Sequence, residues 1–254
     1  MGSLSERTVA AGRGRSSAPP RFYFSLRSPY SWLAYRDLLD GYAWLADRLE
    51  WRPFFEPDER SAKALAEEGG DFSYVAMSRA KHLYILQDVR RLTRERGLRM
   101  TWPVDRDPVW EVPHLAYLAA ADEGRGREFV DRAYRARWQE GLDICDRAVI
   151  GDLARELDLD AARLASAADD PDLRARGVEA LLALDRDGVF GVPFFVHRYD
   201  KFWGTDRLAA FADAVAARTD PAQQGAERPA AGPAAPLARD VPPGGDGGHA
   251  GGCG

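Results

Sequence analysis

Ser28-Pro29-Tyr30-Ser31 ends a short apolar run, residues 21–26, and opens a helical pattern. A dithiol redox turn at such a strand-to-helix junction reads Cys-Pro-X-Cys, and here serine holds both cysteine positions. A helix N-terminus and a hydroxyl donor each favour the thiolate form of a nearby thiol. With no sulfur of its own in the turn, the chain is expected to work on a thiol brought from outside. Taken alone, Ser28 followed by Pro29 also fits ordinary capping, because serine is favoured at the N-cap and proline at the first helical position.

Two other places carry the same kind of chemistry. In Gly191-Val192-Pro193, proline stands at the start of an apolar run, where a residue without an N–H is tolerated in a sheet. A cis bond there leaves the N–H and C=O of Val192 available to a peptide-like ligand added as a strand; a plain loop-to-strand boundary is the alternative. In residues 202–207, Thr205 or Asp206 stands where the last helix begins. Free N–H groups at such a start hold a carboxylate, and the Asp206 carboxylate pairs with an ammonium. A group bearing both charges is an α-amino acid head.

The elements that must position these residues follow from periodicity. Residues 21–26 and 49–55 read as strands, and residues 29–48 between them as one helix, a unit that gives a parallel pair. Helical patterns follow over 77–96, 112–121, 128–139, 151–157 and 173–187. Residues 192–197 and 201–203 read as a hairpin, and a final helix carries Leu208, Phe211 and Val215 on one face. The expected class is α/β: a thioredoxin-like β-α-β / β-β-α frame, 21–56 with 186–218, interrupted by an all-helical subdomain over 57–185.

Composition bounds the rest. Residues 1–20 hold few sizeable apolar side chains, and residues 219–254 are rich in Gly, Pro and Ala with no aromatic residue. Neither stretch buries enough surface to offset its ordering entropy, so both are expected to be disordered tails. The N-terminal stretch lacks the apolar region of a signal peptide, and no run is long enough for a membrane span, which points to a cytoplasmic protein. A net charge of −5 argues against a nucleic-acid partner. Cys253 and His249 lie in the glycine-rich stretch, which offers no frame for a metal, and none is expected.

The same motifs, taken together, resemble the DsbA-like family of 2-hydroxychromene-2-carboxylate isomerases and kappa-class glutathione transferases. The resemblance rests on residues 22–34, on Lys81-His82-Leu83-Tyr84 with Asp88 and Arg91, on Gly97 and Trp102-Pro103, on 138–144, on 188–196 and on 202–207, and it covers about 21–216. It implies that Ser28 hydrogen-bonds the sulfur of glutathione or another low-molecular-weight thiol. Val192, beside a cis Pro193, would hold the cysteinyl unit, and Thr205 and Asp206 the γ-glutamyl end. Tyr30 and Trp203 are candidate walls of a second-substrate pocket, with core packing the plainer role for Trp203. A homodimer is also implied. Residues 56–70 depart from the family's pattern.

The leading expectation is therefore a thiol-dependent isomerase of a small aromatic or unsaturated carboxylic acid. A thiol-conjugating transferase keeps the same site, and a non-catalytic thioredoxin-like binding module is the alternative of another class. A dithiol oxidoreductase lacks the cysteine pair that it needs.

Overall fold

A computed structural model describes residues 18–72 and 77–217 of the chain. Four strands form one sheet in the order β2-β1-β3-β4. They are β1 (Arg21–Phe24), β2 (Glu50–Pro53), β3 (Phe194–His197) and β4 (Asp200–Trp203). β1 runs parallel to β2, with Phe24 opposite Pro53, and antiparallel to β3, with Tyr23 opposite Phe194. β3 and β4 form a hairpin with Phe194 opposite Trp203. The C-terminal ends of β1, β2 and β4 and the N-terminal end of β3 therefore share one end of the sheet.

Side chains alternate across the strands. One face presents Phe22, whose ring stacks on Phe195 at 4.7 Å and meets Trp51 edge-on at 5.1 Å. α1 (Pro29–Gly41) and α10 (Leu208–Ala216) cover this face through Tyr35, 6.0 Å from Trp51, and Phe211, 4.9 Å from Phe195. The other face presents Tyr23, whose hydroxyl bonds Asp187 at the end of α9 (Pro171–Asp187). Arg21 pairs with the same carboxylate at 2.9 Å.

The helices between β2 and β3 are α3 (Glu59–Glu67), α4 (Arg79–Glu95), α5 (Glu111–Asp122), α6 (Gly126–Trp138), α7 (Arg147–Glu156), α8 (Ala161–Ala165) and α9. Buried residues of all of these helices except α4 join those of the sheet in one continuous core, against which α4 packs Leu92. α4 is tied to α1 by the fork of Arg96, both of whose contacts to Asp37 are 2.7 Å long.

Several boundaries differ from the sequence expectation. The helix expected over 29–48 is two: α1 stops at Gly41, and α2 (Ala43–Ala46) restarts after Tyr42, whose φ of −139° and ψ of 38° leave the helical region. Gly41 lowers the cost of that break. α3 lies inside the expected helical region but in a stretch to which no individual helical pattern was assigned; it is capped by Asp58, whose side chain accepts from the Ser61 N–H. The last helix begins at Leu208, after a 3-10 turn over Thr205–Arg207. At the N-terminus, the Pro20 carbonyl already accepts from the Glu50 N–H at 2.9 Å. Residues 1–17 of the tail expected over 1–20, and the whole tail expected over 219–254 with His249 and Cys253, lie outside the described residues.

Candidate functional site

Ser28 is the N-cap of α1. Its φ of −85° and ψ of 122° are extended, and its Oγ accepts from the Ser31 N–H at 3.2 Å. Pro29 fills the first helical position, where its missing N–H costs nothing. Capping consumes the acceptor side of the Ser28 hydroxyl, and its proton is left for an acceptor approaching the helix start. Ser28 is only 1% exposed, so its hydroxyl sits within a packed turn rather than in open solvent. Ser31 is equally buried and holds the turn from within, its Oγ accepting from the Ser25 N–H at 3.2 Å.

The turn is braced from two helices that the motif alone does not reveal. On α5, His114 accepts from the Leu26 N–H through Nε2 at 3.0 Å and meets the Trp110 carbonyl through Nδ1 at 2.7 Å. A ring that accepts at Nε2 carries its proton on Nδ1, so it is neutral. Burial, reinforced by the nearby Arg137 and Arg27 cations, pushes its pKa down to about 3. On α6, the Tyr134 hydroxyl donates to the Ser25 carbonyl at 3.1 Å. The N–H and C=O of Ser25 and the N–H of Leu26 thus each have a buried partner. The only sequence signal for this brace is a histidine and a tyrosine among the apolar positions of α5 and α6.

Val192 and Pro193 precede β3 at the same sheet end, and the peptide bond between them is cis. The Pro193 carbonyl accepts from the Gly204 N–H at 3.0 Å, which stitches this loop to the turn after β4. Among the described residues, no backbone hydrogen bond engages the N–H or C=O of Val192. Gly204 has φ of +104°, and a Cβ there would stand 2.7 Å from Asp206 Oδ1. Glycine therefore allows the Asp206 carboxylate to fold back over the turn. Asp206 is exposed, with 72% of its side chain open, and its Oδ2 lies 3.6 Å from Arg207 Nε. The turn carrying Thr205 and Asp206 packs against α1.

The sheet therefore brings Ser28 to one end with Val192-Pro193 and Thr205-Asp206, which lie more than 160 residues further along the chain. Tyr30 joins them on α1, its hydroxyl donating to Asp88 Oδ2 at 2.8 Å, and Arg91 holds the other oxygen at 2.9 Å. Trp203 stands apart. It is opposite Phe194, which is opposite Tyr23, so it belongs to the α9 face rather than the α1 face. At 37% exposure it is not core, and its ring meets Phe190 at 5.0 Å.

A second group of residues, absent from the sequence reading, lines a cleft beside the turn: Arg27, Glu56, Phe54, Phe55, Phe72 and Trp110. Arg27 pairs with Glu56 at 2.8 Å and lies over Trp110, 5.2 Å from its centroid. Below it, Glu111 is buried. One oxygen accepts from the Asp58 N–H at 2.6 Å and the other has no hydrogen-bond partner among the described residues. Desolvation holds this carboxyl above its ordinary range. Cys145 lies in the loop between α6 and α7, and burial pushes its thiol up to about 12, which keeps it protonated. Among the described residues, no group of three or more His, Cys, Asp or Glu is placed to hold a metal.

A parallel β-α-β pair extended by a β-hairpin and a helix, with an active turn at the start of α1, defines the thioredoxin-like class. Within it, the chain belongs to the DsbA-like thioredoxin domain family, whose model matches residues 21–216. A curated relative, the 2-hydroxychromene-2-carboxylate isomerase of Sphingobium xenophagum, is 28% identical over 188 residues, covering 74% of this chain and 92% of its own. Among solved structures, a 2-hydroxychromene-2-carboxylate isomerase superposes with a TM-score of 0.61 at 22% identity, over 78% of this chain and 94% of that one. The cytosolic disulfide reductase DsbM of Pseudomonas aeruginosa, solved with glutathione, gives 0.53 at 19% identity, over 78% and 98% of the two chains. At these identities the structural likenesses speak for the fold.

Proposed function

We propose that the protein is a thiol-dependent isomerase of a small aromatic or unsaturated carboxylic acid, using glutathione or another low-molecular-weight thiol. The carrying observation is the convergence of a serine-capped helix start, the backbone of Val192 and the Thr205-Asp206 turn at one sheet end. The similarity to a 2-hydroxychromene-2-carboxylate isomerase along nearly its whole length supports the same reading.

The residues present fit such a thiol. Among the described residues nothing accepts the Ser28 hydroxyl proton, which stands at the positive end of a helix thirteen residues long, and both features stabilise a thiolate. Val192 offers a backbone donor and acceptor for the cysteinyl unit. Asp206 suits an ammonium, and the N–H groups of the Thr205–Arg207 turn suit a carboxylate. When bound, the thiol supplies a nucleophile that adds reversibly to an electron-poor double bond and is regenerated, so that rotation about the bond becomes possible. The chain's own part is to bind and aim: Ser28 holds its hydrogen bond on the reacting side, and the His114 and Tyr134 brace keeps that hydroxyl in place. No cysteine stands in the turn to support dithiol exchange.

The test follows 2-hydroxychromene-2-carboxylate by absorbance with and without added thiol. Turnover that needs the thiol and falls at least about a hundredfold in Ser28→Ala supports the reading. Thiol-independent turnover, or an unaffected Ser28→Ala, refutes it. Retention of the thiol in the product mass would convert the assignment to a conjugating transferase. The proposal includes a homodimer, which light scattering of the purified chain tests.

A further inference from the structure

We propose that Arg27 selects a carboxylate on the second substrate, by exchanging its partner Glu56 for the ligand's own carboxylate. The inference rests on the isomerase reading for the ligand's role as substrate, and it stands on the geometry of the cleft for the ligand's chemistry.

Arg27 immediately precedes Ser28 in the chain, and the cleft it lines also includes Ser25 of the same turn. The walls around it are aromatic: Phe54, Phe55, Phe72 and Trp110. Among the described residues, Arg27 is the sole cation in that lining. An aromatic-walled cleft with one guanidinium suits an aromatic ring bearing a carboxylate, since the planar fork matches a carboxylate.

The neighbouring guanidinium shows which of the two is exchangeable. Arg137 also lies over Trp110, at 5.0 Å. It is buried, and both oxygens of Asp105 hold it, at 2.7 and 2.9 Å. Releasing that pair would strand a buried charge. Arg27 is 27% exposed and Glu56 40%, so Glu56 can return to water while a ligand carboxylate takes its place. The charge on Arg27 stays paired throughout. The cleft as it stands has a free volume of about 10 Å³, room for roughly one water. A ring therefore enters only as the Glu56 side chain leaves.

The experiment is calorimetric titration of the full chain with 1-naphthoate and with 1-naphthamide, which differ in charge but little in shape, in the absence of thiol. Wild-type protein is expected to bind the acid about tenfold more tightly than the amide. Arg27→Met should erase that preference, and Arg27→Lys should keep part of it. Glu56→Gln should tighten the acid about threefold and leave the amide unchanged, a gain that misfolding cannot produce. Equal binding of acid and amide, binding of neither, or a preference that survives Arg27→Met overturns the proposal. Because no thiol is present, loss of thiol dependence in turnover leaves this outcome untouched, and the reverse also holds.

Discussion

The turn after β1 and the turn after β4 reach the same end of the sheet but are built in opposite ways. Around Ser28 the backbone is buried and bonded to His114, Tyr134 and Ser31. Around Thr205-Asp206 the chain is a single 3-10 turn with an exposed carboxylate, tied to the loop before β3 by a bond from Gly204 to Pro193. A group that must hold a reacting atom gains from a fixed frame. A group that reads the charged end of a ligand loses little by standing in water. The contrast separates the place where chemistry is aimed from the place where identity is read.

The largest effect should come from breaking the braced turn. His114→Leu leaves the Leu26 N–H and one acceptor of the Trp110 carbonyl without their buried partner, and should cost about 3 kcal/mol in urea unfolding. A comparable loss from Asp206→Leu would erase the distinction between the two turns.

The second effect is a pH dependence with a definite sign. The folded pKa of His114, about 3, lies below its ordinary value of 6.5. Between these values the unfolded chain binds the proton and the folded chain does not. The stability is fully present above about pH 6.5 and is lost as pH falls toward 3, at about 1.4 kcal/mol per pH unit within the window. Glu111, held above its ordinary range, acts with the opposite sign, its contribution lost as pH rises through its folded pKa. Unfolding curves from pH 7 to pH 4 measure the sum, and His114→Gln should flatten the slope.

Ser28→Ala should cost about 1 kcal/mol as a lost cap, far less than its effect on thiol-dependent turnover. Asp206→Asn should leave stability within about 0.5 kcal/mol, as expected of an exposed ion pair, yet weaken thiol binding about tenfold in a thermal-shift titration. An Asp206→Asn protein with unchanged thiol affinity would break the assignment of ligand reading to that turn.

The sequence made the contributing pieces legible where local chemistry decides them. Ser28 and Pro29 announce a cap, and the aromatic run before them announces a strand. The hairpin is visible as two apolar runs around Arg198-Tyr199, and its placement beside β1 follows from the frame. The brace is different in kind. His114 bonds a backbone N–H 88 residues earlier, and no periodicity encodes that meeting. α3 escaped notice because its buried side is only Ser61 and Leu65, too narrow to print an apolar stripe. The break at Tyr42 depends on how the chain turns back toward β2. Trp203 shows a further limit: the strand was found, but which face its last residue serves depends on register.

The pairing of Phe22 with Phe195 carries a consequence for biosynthesis. β1 and β2 leave the ribosome early, and their parallel pair has no hairpin partner until residues near 200 have been made. During that interval the aromatic face of β1 lacks the ring that will stack on it, and the growing chain exposes an open strand edge. Closure must bridge a long loop, so the sheet should be among the last parts to become protected from hydrogen exchange during refolding.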